Sequence, residues 1–95
     1  MKLGATIKKL RKERAINQTN FAEQCGISQT YLSQIEKDER NPTISVLDRI
    51  CDVLKIPSAV LLFMSLSIDS VPEDRREIFK TAKPILDGII GGVFL

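Results

Sequence analysis

Ninety-five residues, 43% hydrophobic and 27% charged, with a net charge of +2 and a mean hydropathy of −0.02, describe one small globular domain. They exclude a multidomain or compositionally disordered chain. Histidine is absent, and Cys25 and Cys51 fall where inward apolar residues are wanted, so no zinc site or other cofactor is expected and both thiols are assigned to the core.

The N-terminal stretch MKLGATIKKLRKER is basic and amphipathic, and predicts a helix over 3–14 with Leu3, Ile7 and Leu10 inward and Lys8, Lys9, Lys12 and Arg14 in water. It has no signal-peptide core, and no apolar run in the chain approaches the roughly 18 residues of a membrane span. A cytoplasmic protein is expected, with no membrane partner.

Residues 17–36, NQTNFAEQCGISQTYLSQIE, read as two short helices around a turn. Asn17 is suited to cap the first, Phe21, Ala22 and Cys25 point inward, Gly26 takes the turn, and Ser28 caps the second. This is a helix-turn-helix layout. The segment EKDERNP then breaks the pattern, and Thr43 caps a fourth helix whose inward stripe is Ile44, Leu47, Ile50, Cys51 and Leu54. Ile56-Pro57-Ser58 repeats the same stop and cap, leading into a short apolar fifth helix, Ala59 to Phe63. Five helices by residue 64 close an all-α domain over 1–64.

SLSIDS, residues 65–70, reads as a linker, and Ser70-Val71-Pro72-Glu73 as a capping box opening a sixth helical segment over 71–95. Pro84 is expected to kink that helix or divide it. Its apolar residues, Ile78, Ala82, Ile85, Leu86, Ile89, Ile90, Val93 and Phe94, form a stripe left over after a domain already closed. An uncovered stripe of that kind is a liability.

Charge is uneven along the chain: residues 1–40 carry eight Lys or Arg against five acids, and residues 41–95 carry six against seven. The basic half holds the helix-turn-helix pattern. With about 100° per residue and Gln29 at zero, Thr30 falls at about 100°, Ser33 at about 40°, Gln34 at about 140° and Lys37 at about 80°. Leu32 and Ile35 lie on the opposite side. A helix docked through them projects four amide and hydroxyl side chains together, with no acidic group on the face. A glutamine amide can donate and accept at once, matching adenine N6 and N7, and Ser and Thr serve either role. Gln18, Lys37 and Arg40 are placed to meet phosphates beside it.

The pattern IKKLRKERAINQTNFAEQCGISQTYLSQIEKDERNPTISVLDRICDVLKIP resembles the helix-turn-helix family of phage repressors and Cro proteins, the XRE family, over about Leu3 to Phe63. The inward positions, the turn Gly26, Ile35-Glu36, the Asn41-Pro42 break and the Leu54-Ile56 close fall in register. The resemblance implies a five-helix domain whose third helix, 28–36, enters the major groove of an operator, with two copies on an inverted repeat. It makes Gln29, Thr30, Ser33 and Gln34 base readers, and Asn17, Gln18, Tyr31, Lys37, Arg40 and Asn41 contacts to the DNA backbone. It also pairs Arg11 with Glu36, tying the first helix to the third. Ala15 and Asp38 stand where the family often has Gly; in left-handed backbone Ala15 costs about 1 kcal/mol and Asp38 less. Asp38 and Glu39, beside the phosphate contacts, are expected to weaken non-specific affinity.

Catalysis is not expected, because there is no His, no phosphate loop and no Cys with a partner base. The competing reading is an antitoxin-type or other protein-interaction module on the same fold. A face that docks protein carries apolar anchors, and Gln29, Thr30, Ser33 and Gln34 offer none. For the tail three readings stand: a homodimer interface, a segment folded back on the core, or a site for a protein partner such as a toxin or antirepressor. Asp87 interrupts its apolar run and argues against a membrane anchor.

Overall fold

The computed structural model describes residues 2–95. Six α-helices follow one another: α1 (Leu3–Glu13), α2 (Gln18–Cys25), α3 (Gln29–Glu36), α4 (Ile44–Leu54), α5 (Ser58–Met64) and α6 (Arg76–Phe94). Two 3-10 turns, Ile68–Ser70 and Glu73–Arg75, connect α5 to α6, and no strand occurs among the described residues.

Local chemistry accounts for most boundaries. The side chains of Asn17, Ser28 and Thr43 accept hydrogen bonds from the backbone N–H groups of Asn20 (2.8 Å), Tyr31 (3.0 Å) and Val46 (3.2 Å), capping α2, α3 and α4. Gly26 closes α2 at φ 69°, in the left-handed region. Ala15, Asp38 and Lys55 also adopt left-handed backbone, at φ 55°, 57° and 59°. Both positions where family members often carry Gly therefore keep the conformation that Gly favours.

The core gathers Ile7 and Leu10 from α1, Phe21, Ala22 and Cys25 from α2, Leu32 and Ile35 from α3, and Ile50, Cys51 and Leu54 from α4. Ile56 and Leu61 seal it, with Leu3, Ile16, Ile27 and Tyr31 packed at its margin. Both cysteines are buried free thiols, and burial pushes each thiol pKa up to about 11, as it does for inert core cysteines.

Four expectations change. Ile44 does not join the stripe of α4: it is 80% exposed, and Val46 takes the inward place. A first-turn side chain points back past the helix start, where no preceding turn covers it. α5 begins at Ser58 itself, with Pro57 at the cap position and no side-chain cap. The Ser70–Glu73 capping box does not form, because Val71 and Pro72 are extended (ψ 137° and 142°) and carry Glu73 away from Ser70, whose hydroxyl instead accepts from the Ser67 N–H (3.4 Å) within the first 3-10 turn. α6 thus starts at Arg76, and it then runs through Pro84 as one helix. Residues 65–70 are also more than a tether. Ser65 is buried, donates its hydroxyl to Leu61 O (2.7 Å), and accepts the Lys2 N–H on its own carbonyl (2.9 Å).

The N-terminus of α1 has no local side-chain cap. Asp38, 34 residues along, supplies one: its carboxylate accepts the N–H groups of Gly4 (2.8 Å) and Ala5 (3.3 Å). The approach needs glycine at position 4, since a Cβ there would overlap the Ile35 carbonyl oxygen and stand 2.8 Å from Asp38 Oδ1. Backbone cannot yield as a side chain can, so Gly4→Ala is expected to cost about 3 kcal/mol. Urea unfolding of the two proteins measures it, and an unchanged midpoint would contradict the packing.

Candidate nucleic-acid interface

α3 is seated by Leu32 and Ile35, 0% and 1% exposed, and by the buried Glu36. Arg11 grips that carboxylate in a two-pronged pair, Nε to Oε2 at 2.7 Å and Nη2 to Oε1 at 2.9 Å, while its Nη1 donates to the Ile16 carbonyl at 2.9 Å. Every buried side-chain polar atom among the described residues has a partner. α1, the α1–α2 turn and α3 are thereby locked together by directional bonds as well as by the core.

The opposite side of α3 opens to solvent. Gln29 and Thr30 are exposed and Ser33 and Gln34 half-buried, and the four line one shallow groove of about 390 Å³ with Gln18, Lys37 and Glu39. The surface combines donors and acceptors with a single ammonium. It has the width of several side chains and the chemistry of base edges. Glu39 places a carboxylate on the rim that the helical wheel, which ended at Lys37, did not contain.

The expected backbone contacts divide. Lys37, Arg40 and Asn41 are exposed around the end of α3. The Arg40 guanidinium lies 4.8 Å from the centroid of the Tyr31 ring, which holds the long side chain beside the groove. Asn17 spends its side-chain oxygen on the cap of α2, leaving its amide N–H groups for a ligand. Gln18 is largely committed within the protein, donating to Glu36 Oε1 (3.2 Å) and accepting from Gln29 Nε2 (3.3 Å). Thr19, which no spacing rule singled out, donates to Gln29 Oε1 at 3.2 Å. The contact joins residues ten apart across the α2–α3 crossing, where helical periodicity within either element carries no signal. Asp38 corrects the electrostatic expectation, for its carboxylate is turned onto α1.

The two capped helices around a left-handed Gly26, with a polar face on the second, define a helix-turn-helix protein. A helix-turn-helix family model matches residues 7–61, and the chain belongs to that family, the XRE-type DNA-binding transcriptional regulators. The immunity repressor protein of Bacillus phage phi105 is 37% identical over 62 residues, covering 65% of this chain and 43% of that protein. This chain therefore corresponds to under half of that relative. The DNA-binding domain of SinR from Bacillus subtilis superposes with a TM-score of 0.60 at 36% identity, over 63% of this chain and 88% of that one. The clp gene regulator ClgR of Corynebacterium glutamicum shares the fold over 93% of this chain and 85% of its own, α6 included, with a TM-score of 0.64 at 20% identity.

Proposed function

We propose that this protein is a sequence-specific transcriptional regulator, a cytoplasmic repressor that binds an inverted-repeat operator as a homodimer with α3 in the major groove. The observation that carries this reading is the unbroken polar groove formed by Gln29, Thr30, Ser33 and Gln34, braced from behind by Leu32, Ile35 and the Arg11–Glu36 pair. Gln29 and Gln34 read bases, Thr30 and Ser33 complete the contact, and Lys37 and Arg40 hold the phosphates, with Asn17, Gln18, Tyr31 and Asn41 beside them. Two copies are needed because one groove spans one half-site. The exposed stripe of α6, including Ile78, Ile85, Ile89 and Val93, supports α6 as the joining element. If that stripe instead takes a protein partner, the chain acts as an antitoxin-type module on the same fold.

Selection of binding sites from random duplex DNA tests the reading directly, since an inverted repeat reports the dimer and the base preferences report α3. Gln34→Ala is expected to lose about 1–3 kcal/mol at one base pair per half-site while binding random DNA as the parent does. Lys37→Ala is expected to weaken every duplex alike and to reduce the slope of log affinity against log salt by about 1 per protomer. A Gln34→Ala protein that discriminates as the parent does would refute base reading by this face.

A further inference from the structure

The groove is connected to the interior by hydrogen bonds whose direction is set at the buried end. Arg11 has only donors, and the Glu36 carboxylate accepts them. Glu36 can only accept, so Gln18 must turn its amide nitrogen toward it (3.2 Å), which sends Gln18 Oε1 outward. That oxygen in turn requires a donor, and Gln29 Nε2 meets it at 3.3 Å. A reversed Gln29 amide would set two acceptor oxygens against each other with no proton between them. The polarity of the outermost amide is therefore inherited from a carboxylate in the core.

One bond fixes which end of an amide faces a partner but leaves it free to pivot. Thr19 provides the second point: its hydroxyl donates to Gln29 Oε1 at 3.2 Å, and since an amide oxygen cannot donate, the proton belongs to Thr19. We infer that Thr19 is a positioning residue for recognition, holding the plane of the Gln29 amide so that its remaining N–H and lone pair meet one base and not another. The inference rests on the base-reading role proposed for α3. Thr19 is itself exposed on the second position of α2, where a side-chain change leaves the core untouched.

The test compares site selection and affinity for the full chain carrying Thr19→Val, Thr19→Ser or Gln29→Ala. Thr19→Val keeps the shape and removes the donor. It is expected to lose about 3- to 10-fold of discrimination at the base pair where Gln29→Ala also loses it, as suits one neutral hydrogen bond. Other positions, the thermal midpoint and the salt slope stay at parent values, and Thr19→Ser restores the preference. Parent-like discrimination by Thr19→Val, with Gln29→Ala impaired, overturns the clamp alone. A uniform loss at all sequences with a smaller salt slope also overturns it, making Thr19 a phosphate contact. Gln29→Ala without effect at any position overturns base reading by Gln29, and the clamp with it.

Discussion

Glu36→Ala is expected to lower stability by about 3–5 kcal/mol, the cost of leaving a buried guanidinium without its counter-charge. Arg11 is 6% exposed and Glu36 5%, and two of the three Arg11 hydrogen bonds end on that carboxylate. After the substitution only the Ile16 carbonyl remains. For a chain of this size each kcal/mol moves the midpoint by about 4–8 °C, so a fall of roughly 12–40 °C in thermal unfolding is the expected reading. The double variant Arg11→Met with Glu36→Leu removes both charges together and is expected to recover much of the loss, because a buried ion pair contributes little over apolar groups of similar volume. A single variant melting within about 5 °C of the parent would show that water reaches Arg11 and that the pair is not a brace. Recovery of stability without recovery of discrimination is the outcome that separates scaffold from recognition: the double variant has no carboxylate to orient Gln18, and so none to orient Gln29.

What could be read from the sequence follows the range of the interactions. The caps at Asn17, Ser28 and Thr43 join a side chain to an N–H three residues on, and the turn at Gly26 needs only its own backbone, so local pattern suffices for them. The inward stripes of α1 to α3 follow from periodicity. Arg11 with Glu36 is separated by 25 positions and was legible only through resemblance to a family. Asp38 shows the limit more sharply. Its place after α3 made it a charge beside phosphates, and only the left-handed turn at φ 57° brings it onto the N–H groups of Gly4 and Ala5. Thr19 and Gln29 likewise meet only because two helices cross. At the tail, Ser67 and Ser70 close a 3-10 turn and the chain is extended after it, so the box toward Glu73 that the local pattern offered is not made.

The proposed dimer makes the second large prediction. Along α6, Ile78, Ala82, Ile85, Ile89 and Val93 fall within an arc of about 80°, and the four larger residues are 60% to 71% exposed. Ala82 and Ile90 are half-buried, and Lys83 sits on the flank turned toward α5, its ammonium 5.3 Å from the Phe63 ring centroid and 2.7 Å from Asp87. That flank of α6 meets α5 through Lys83 and Phe63 while the isoleucine stripe faces away. A groove of about 460 Å³ lined by Glu77, Ile78, Thr81, Ala82 and Ile85 lies along that stripe and would receive knobs from a symmetry-related helix. Ile85→Asp with Ile89→Asp places two charges in the middle of the face without touching the core. The variant is expected to sediment as a monomer with the helix content of the parent. Its operator affinity should fall by about 10²- to 10⁴-fold, because the second half-site is no longer bound as an intramolecular event. Its salt slope should fall to about half, since one reading head in place of two displaces counterions. Parent-like sedimentation by the variant would remove α6 from the interface. A parent that is itself monomeric at all concentrations would leave the stripe to a protein partner and move the chain to the antitoxin-type reading. The two halves of the molecule are tested apart in this way, because a failure of α6 to dimerise leaves the base preference of α3 measurable on a single half-site.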